Sequence, residues 1–237
     1  GFLKCWGRNI WGTLGDGITT KSLTPVDVTL DGTAVAVAVG QYHACVILDG
    51  GSLKCWGYNH KGQLGDGTRT TRKTLVDVAL GGTAVAVALG DSHSCVILAG
   101  GSLKCWGYND HGQLGDGTET DRNTPVDVAL GGIAVAVALG SSHSCVILDG
   151  GSLKCWGYNW QGQLGTGYTT DRKTPGDVAL GGTAVAVALG YEHTCAALAD
   201  GSLKCWGRNL YGQLGDGSAY GDIWAAGTSS PVAVSGW

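Results

Sequence analysis

Residues 101–117 read GSLKCWGYNDHGQLGDG, and the same string recurs with few changes from residues 1, 51, 151 and 201. The spacing is fifty residues each time, and no insertion disturbs it up to about residue 218. A period near fifty residues is typical of propellers and solenoids, in which each repeat buries its faces only against its neighbours. The sequence therefore predicts a single repeat domain, residues 1–237.

One repeat contains four short segments with β-strand character. In one copy they are residues 84–89, 93–98, 102–106 and 125–130, joined by glycine-rich turns and a long loop, residues 107–124. We expect proline to begin the fourth segment, because proline suits the start of an edge strand. No segment combines helical periodicity with helical length and caps. Four antiparallel strands per repeat predict an all-β fold, a β-propeller of four-stranded blades, with a β-solenoid as the alternative.

The repeat register gives four complete blades and a half blade, in about five blade positions. The half blade comes first, and it has a third and a fourth strand but no first or second. The expected bounds are residues 1–33 for the half blade and 34–83, 84–133, 134–183 and 184–237 for the complete blades.

Eight of the nine cysteines form pairs ten residues apart. If the hairpin turn is residues 49–51, Cys45 lies directly opposite Cys55, within disulfide distance. The last residue of such a turn adopts a left-handed backbone conformation, which favours glycine. Residue 51 and its equivalents in the other copies are all glycine. We expect four disulfides within blades, and buried free thiols in a cytosolic protein are the alternative. The predicted pairs are Cys45–Cys55, Cys95–Cys105, Cys145–Cys155 and Cys195–Cys205.

Disulfides predict an oxidising location, so we expect an extracellular or cell-surface protein. Cys5 is left over, either unpaired or bonded to another chain. One blade offers only two sulfurs where zinc needs four ligands, so we expect no metal. The net charge of -4 and the 14% of charged residues favour no nucleic-acid partner. The longest apolar stretch, residues 133–139, is too short to cross a bilayer, which predicts no membrane insertion.

Potentially reactive side chains recur in the copies. A histidine stands at residues 43, 93, 143 and 193, whereas an enzyme needs one asymmetric site. We interpret these histidines, and the tryptophan after each second cysteine, as structural. Aspartates in the Gly-Asp-Gly turns suit such turns without calcium, and no phosphate loop or nucleophile elbow occurs. The sequence predicts no catalysis and no cofactor.

Two sets of positions vary between otherwise near-identical copies: the turn between the first two strands and the loop after the third. These connections emerge on the same face of an antiparallel blade. Exposed aromatic residues are the usual anchors of interfaces, so we expect a protein-binding face, with neutral drift at loop tips as the alternative. The candidate residues are Gln41, Tyr42, Asp91, Tyr191 and Glu192 in the turns, and Trp11, His60, Lys61, Asp110, His111, Trp160, Gln161, Leu210 and Tyr211 in the loops.

The repeated string, with the preceding Gly-x-x-His-Ser-Cys of residues 90–95 and the following Thr-Pro-Val of residues 124–126, resembles the regulator of chromosome condensation repeat. The Cys-Trp-Gly copies are similar to those of bacterial members, which are often surface or secreted proteins. The resemblance implies a propeller with blades of this length. It also implies several unrelated activities, among them guanine-nucleotide exchange on a small GTPase and inhibition of another protein.

Our leading hypothesis is a non-catalytic extracellular structural or interaction module. The open half blade suggests completion by missing segments or by strands from another copy, and head-to-tail donation would build a filament. The alternative is a secreted inhibitor or receptor that uses the aromatic loop face, and a nucleotide-exchange factor is a further alternative. The threonine-rich loops, such as residues 68–71, are candidates for O-linked sugar.

Overall fold

The computed structural model describes residues 2–219 and 227–236, and all regular secondary structure in these residues is β-strand. A two-stranded sheet holds β1 (Leu3–Gly7) and β2 (Ser22–Val28). The next sheets hold β3 (Ala34–Val39), β4 (His43–Leu48), β5 (Leu53–Gly57) and β6 (Arg72–Asp77), then β7 (Ala84–Leu89), β8 (His93–Leu98), β9 (Leu103–Gly107) and β10 (Arg122–Val128). The last two hold β11 (Ala134–Leu139), β12 (His143–Leu148), β13 (Leu153–Gly157) and β14 (Arg172–Asp177), then β15 (Ala184–Leu189), β16 (His193–Leu198), β17 (Leu203–Gly207) and β18 (Thr228–Ala233).

The spatial contacts between Cα atoms divide the chain into two compact units. The N-terminal unit is Gly1–Tyr108 with Thr120–Asp127, and the C-terminal unit is Asn109–Glu119 with Val128–Trp237. Most of the loop that follows β9, residues Asn109–Glu119, therefore belongs to the C-terminal unit, together with the sheets β11–β14 and β15–β18.

Each complete sheet is an antiparallel meander in sequence order, so its first and fourth strands are the edges. The second and third strands form the interior: every residue of β4, β8 and β12 is buried. Valine, isoleucine and leucine at these positions fit a strand that is covered on both faces. The predicted repetition of four-stranded antiparallel blades is confirmed.

The predicted hairpin register is confirmed as well. Cys45 pairs with Cys55 and Ile47 with Leu53. Gly51 has a φ of 81°, a left-handed conformation that glycine adopts without steric cost. The four predicted disulfides are present, each with its Cα atoms 4.1 Å apart.

The predicted start of the fourth strand is wrong, because the strand begins before its proline. β10 starts at Arg122 rather than at Pro125. In β14 the pairing moves from Cys155–Gly176 to Gly157–Arg172, so an irregularity covers the residues between, Pro175 among them. A proline inside an irregularity on an edge strand removes no hydrogen bond from the ladder, and this position tolerates it.

A buried tryptophan joins each complete blade to the loop of the preceding copy. The Nε1 of Trp106 donates to the carbonyl oxygen of Gln63 at 2.9 Å in the N-terminal unit. Trp206 makes the same bond with Gln163 in the C-terminal unit. Both side chains are fully buried. The structural interpretation of the repeated tryptophan is confirmed for the copies from residue 56 onward.

Candidate protein-binding loops

The two variable connections of a blade lie at the same end of its sheet, which we call the loop end. The backbone N–H of Tyr58, in the loop after β5, donates to the carbonyl oxygen of Tyr42, in the turn before β4, at 2.9 Å. Arg208 and Glu192 make the equivalent bond at 2.8 Å. The opposite end, with the glycine-rich turns, carries lysine–aspartate pairs such as Lys54 with Asp77 at 2.7 Å.

Buried amides hold the long loops in shape. The Nδ2 of Asn59 donates to the carbonyl oxygens of Thr68 and Thr70, and its Oδ1 accepts from the N–H of Leu64. The Oε1 of Gln63 accepts from the N–H of Lys61 at 2.9 Å. The loops are therefore fixed platforms that present their tips from a rigid framework.

The aspartates of the Gly-Asp-Gly turns are engaged within the same loops. The Oδ1 of Asp66 accepts from the N–H and the hydroxyl of Thr68, and its Oδ2 accepts from Arg72 at 2.8 Å. These bonds lower the pKa of the Asp66 carboxyl against the opposing effect of its burial. Within residues 2–219 and 227–236, no three or more histidine, cysteine, aspartate or glutamate side chains gather as a metal site would require.

Aromatic rings form a connected cluster at the loop end of the N-terminal unit. The ring of Tyr58 is the centre: its centroid lies 4.7 Å from Trp11, 4.6 Å from His60 and 6.3 Å from Tyr42. The guanidinium of Arg8 lies 5.7 Å from the centroid of Tyr42, in cation–π distance. Trp11, Tyr42 and His60 were predicted binding residues, and the structure brings them together.

Basic side chains border this cluster. The Nζ of Lys61 lies 4.4 Å above the ring of Tyr108 and 3.3 Å from Asp121. Arg69 reaches the same carboxylate at 3.6 Å and donates to the carbonyl oxygen of His60. The predicted residue Lys61 is thus held between an aromatic ring and a carboxylate.

The C-terminal unit has a different loop end. His111 stacks on Tyr158 at 4.6 Å and contacts Asp171 at 2.9 Å. Arg208 pairs with Glu192 at 2.7 Å. The other aromatic residues project outward: Trp160, Tyr191 and Tyr211 are 62%, 63% and 84% exposed.

The remaining predicted residues differ in their exposure. Gln41 and Asp110 are exposed, whereas Asp91 and Leu210 are half-buried. Burial raises the pKa of the Asp91 carboxyl. Gln161 is only 6% exposed, so it contributes little surface to a binding face. A glutamine at this position folds inward, where lysine or tyrosine in other copies reaches solvent.

Sequence reasoning missed Tyr58 and its equivalents. The position is tyrosine in three copies and arginine in the first and last, and it lies inside the repeated string rather than among the variable loop positions. The signal that identifies it is this alternation between an aromatic and a basic residue next to the invariant asparagine.

His43 and His143 each contact a hydroxyl group of the following copy. The Nε2 of His43 lies 3.0 Å from the hydroxyl of Ser94, which in turn donates to the carbonyl oxygen of Gln63. His143 and Thr194 make the equivalent contact in the C-terminal unit. Burial lowers the pKa of both histidines to about 3, so they are neutral at physiological pH.

The free edge of β1 is a second candidate site. Among residues 2–219 and 227–236, β1 pairs only with β2, and Trp6 is 63% exposed, whereas its four equivalents are fully buried. A groove of about 440 Å³ lies beside it, lined by Cys5, Trp6, Val37 and His43 among others. Burial raises the pKa of the Cys5 thiol, and Asp16 raises it further.

The blades and their junctions define a β-propeller built from four four-stranded blades and a two-stranded part. Two family models for the regulator of chromosome condensation (RCC1) repeat match the chain, and this protein belongs to that family. One model matches residues 34–63, 84–113, 134–163 and 184–213, and the other matches residues 3–47, 51–97, 101–147 and 151–197.

Solved structures agree with this assignment. Human WBSCR16 is 24% identical, with a TM-score of 0.84 over 97% of this chain and 61% of that one. Yeast RCC1 (Prp20), solved bound to Kap60, is 23% identical, with a TM-score of 0.83 over 97% of this chain and 57% of that one. A further structure of Prp20p from Saccharomyces cerevisiae, described with its binding properties to Gsp1p and histones, is 21% identical, with a TM-score of 0.83 over 99% and 59%.

The chain spans about three-fifths of the length of these structural relatives. At these identities the likeness shows the fold alone. No curated protein sequence matches the chain. No helix that could cross a membrane occurs in the part of the chain that the structure describes.

Proposed function

We propose that this chain is a non-catalytic, extracellular or cell-surface module that binds a protein through the loop ends of its blades. One observation carries the proposal: exposed aromatic side chains vary at the loop ends while buried side chains fix the framework beneath them. Trp160, Tyr191 and Tyr211 are exposed, whereas Asn159 and Trp206 are fully buried. Large exposed aromatic residues on a rigid support are typical of interface anchors.

The four disulfides support the proposed location, because such bonds persist in oxidising compartments and are rare in the cytosol. The same bonds count against nucleotide exchange on a cytosolic GTPase. Prp20 has been studied with Kap60, Gsp1p and histones, so this fold supports protein binding in a relative. Partner identity does not transfer at 21–23% identity.

The test is capture of secreted proteins by the immobilised protein, read by quantitative mass spectrometry. A loop variant carries Trp160→Ser, Tyr191→Ser and Tyr211→Ser. A control variant carries Ile133→Ser and Val185→Ser, which are also exposed apolar residues but lie toward the opposite end of their blades. We expect a protein that the native and control forms retain and the loop variant loses. Equal retention by all three forms would falsify the proposal.

The open edge of β1 favours a second function, acceptance of a β-hairpin. In complete blades the second strand occupies this edge and its cysteine faces the third strand, as Cys95 faces Cys105. An incoming hairpin of the same kind would cover Trp6 and place a cysteine opposite Cys5. Backbone pairing to a free edge is a common mode of protein association.

A synthetic peptide with the sequence of residues 84–99 tests this second function. We expect it to form a disulfide with Cys5 under mild oxidation and to shift the fluorescence of Trp6 to shorter wavelength. A Trp6→Phe variant isolates that signal from the other tryptophans. Failure to bind the peptide contradicts strand acceptance.

Sedimentation velocity then identifies the natural donor. Concentration-dependent, elongated species indicate head-to-tail donation by other copies and a filament, whereas a monomer at all concentrations contradicts donation by other copies. The O-linked sugar on residues 68–71 stays a prediction.

A further inference from the structure

The charge at the loop end differs between the two units. In the N-terminal unit, residues 8–21, 58–73, 90–92 and 120–122 carry seven basic and four acidic side chains. In the C-terminal unit, the loop-end residues 109–119, 158–173, 190–192 and 208–219 carry three basic and six acidic side chains. The loop ends of the two units therefore share one backbone design but carry net charges of opposite sign.

Two equivalent positions show where the difference arises. Arg208 pairs with Glu192 at 2.7 Å. Arg8 is the equivalent residue of the first copy, and its guanidinium lies 5.7 Å from the ring centroid of Tyr42, which belongs to the turn before β4 in the following blade. Within the described residues, no carboxylate lies within ion-pair distance of Arg8.

A second pair behaves in the same way. Lys173 pairs with Glu119 at 2.9 Å in the C-terminal unit. Lys73 is its equivalent. The backbone of Lys73 lies close to Gly12 of the preceding loop, because a Cβ added at Gly12 would be 2.6 Å from the Cα of Lys73. Thr19 stands in the place of Glu119, and Lys73 has no carboxylate partner among the residues that the structure describes.

We infer that the loop end of the N-terminal unit binds an acidic polypeptide segment, whose carboxylates pair with Arg8 and Lys73 as internal carboxylates pair with Arg208 and Lys173 in the C-terminal unit. The inference rests on the proposed function and names the chemistry of the partner. The rings of Trp11 and Tyr42 supply the apolar surface beside these charges.

The chemistry favours a peptide carboxylate over a long polyanion. The N-terminal unit already shows how it holds a carboxylate: Lys61 and Arg69 both approach that of Asp121, at 3.3 and 3.6 Å. A long polyanion such as nucleic acid requires an extended basic surface, and the chain as a whole has a net charge of -4.

Fluorescence polarisation with a labelled oligoglutamate peptide tests the inference, with an oligolysine peptide of equal length as the control probe. We expect binding of the acidic peptide alone, weakened by added salt. Arg8→Ala and Lys73→Ala should each weaken it by about three- to tenfold, as for the loss of one charge contact. Arg208→Ala and Lys173→Ala remove residues that are already paired and should leave binding within about twofold of native.

Two further variants install an internal carboxylate beside each cation. Thr19→Glu gives Lys73 the partner that Lys173 has in Glu119, and Tyr42→Glu replaces the ring beside Arg8 by a carboxylate. Each should weaken peptide binding while the fold and the disulfides are retained. Equal binding by the native protein and by Arg8→Ala, Lys73→Ala and Thr19→Glu overturns the inference. Tighter binding of a sulfated oligosaccharide than of the peptide also overturns it, in favour of a glycan.

The outcome is separable from that of the proposed function. If the peptide does not bind but the loop variant still loses a captured protein, the acidic partner is wrong and the protein-binding module stands. If the peptide binds at Arg8 and no protein depends on Trp160, Tyr191 and Tyr211, the proposed use of the C-terminal loop end is wrong.

Discussion

One sequence position can be fully buried in one copy and exposed in another. Trp106 and Trp6 occupy equivalent places in the string, yet Trp106 is fully buried and Trp6 is 63% exposed. The difference lies in the neighbour: the carbonyl oxygen of Gln63 accepts from Trp106, whereas no strand of the described part of the chain pairs with the other edge of β1. Residue identity alone therefore does not fix the energetic role of a repeated side chain.

Replacement of these two tryptophans by alanine should give very different results. Trp106→Ala leaves a cavity and removes one of the two hydrogen bonds to the carbonyl oxygen of Gln63, and we expect it to lower the free energy of unfolding by about 3–5 kcal/mol. Trp6→Ala should change it by less than about 0.5 kcal/mol, because its side chain is largely in solvent. Urea denaturation followed by circular dichroism measures both, and equal effects would contradict the burial difference.

The buried histidines predict sensitivity to acid. In the unfolded chain histidine has its ordinary pKa of about 6.5, whereas burial lowers the pKa of His43 and His143 to about 3. Between these values the unfolded state binds more protons, so the free energy of unfolding falls as the pH falls from about 6.5 toward 3.

Urea midpoints measured across this pH range test the prediction. His143→Gln should reduce the slope of the unfolding free energy against pH, by at most the contribution of about one bound proton. His60→Gln, a change at an exposed site, should leave it unaltered. A native midpoint that does not change between pH 6.5 and 4 would be inconsistent with buried neutral histidines.

At the scale of the strand and hairpin, much of the structure could be predicted from the sequence. Cys45, Cys55 and Gly51 together define one register, since a shift by one residue would separate the sulfurs. The fourth strand was less predictable, because Pro175 is compatible with a strand start and with an irregular edge. Only pairing with Cys155 and Gly157 distinguishes the two.

The candidate site was only partly predictable for a related reason. Position in a variable loop identifies Trp11 and Gln161 equally, but exposure depends on packing that no local pattern encodes. Trp11 joins the ring cluster, whereas Gln161 is buried. Tyr58 looked like part of the framework and is instead the centre of the cluster.

Each disulfide should contribute to the stability of its own hairpin. Replacing Cys95 and Cys105 by serine should lower the free energy of unfolding by about 2–4 kcal/mol, because the unfolded chain is no longer constrained by the bond. Cys5→Ser, which removes a cysteine without a partner in the described chain, should have a much smaller effect. Peptide mapping without reduction should show Cys95 bonded to Cys105, and any other partner would contradict the register.

At the scale of the whole molecule, the junctions between successive copies share one design. The carbonyl oxygen of Gln63 accepts from Trp106 within the N-terminal unit, and that of Gln113 accepts from Trp156 within the C-terminal unit. Chemically equivalent junctions mean that stability is close to a sum over repeats and neighbouring contacts.

Deletion of one whole repeat, residues 84–133, should therefore leave a folded protein. The loop containing Gln63 would then meet Trp156, which is the equivalent of Trp106. We expect a β-sheet circular dichroism spectrum, three remaining disulfides and a smaller dependence of the unfolding free energy on urea, since less surface is buried. Aggregation or loss of the spectrum would show that the junctions are not interchangeable. A matched deletion of residues 84–108, which breaks the register, serves as the control and should not fold.

The ten-residue separation within each cysteine pair also sets an order of events in time. As the chain emerges from its N-terminus into an oxidising solution, Cys55 follows Cys45 by ten residues, and Cys95 comes only forty residues later. Each bond can close before a competing thiol from the next repeat arrives. In the oxidising location that we propose, the four bonds would form in sequence, and the order of emergence would favour each pair over pairings with later repeats, which leaves Cys5 as the one earlier competitor.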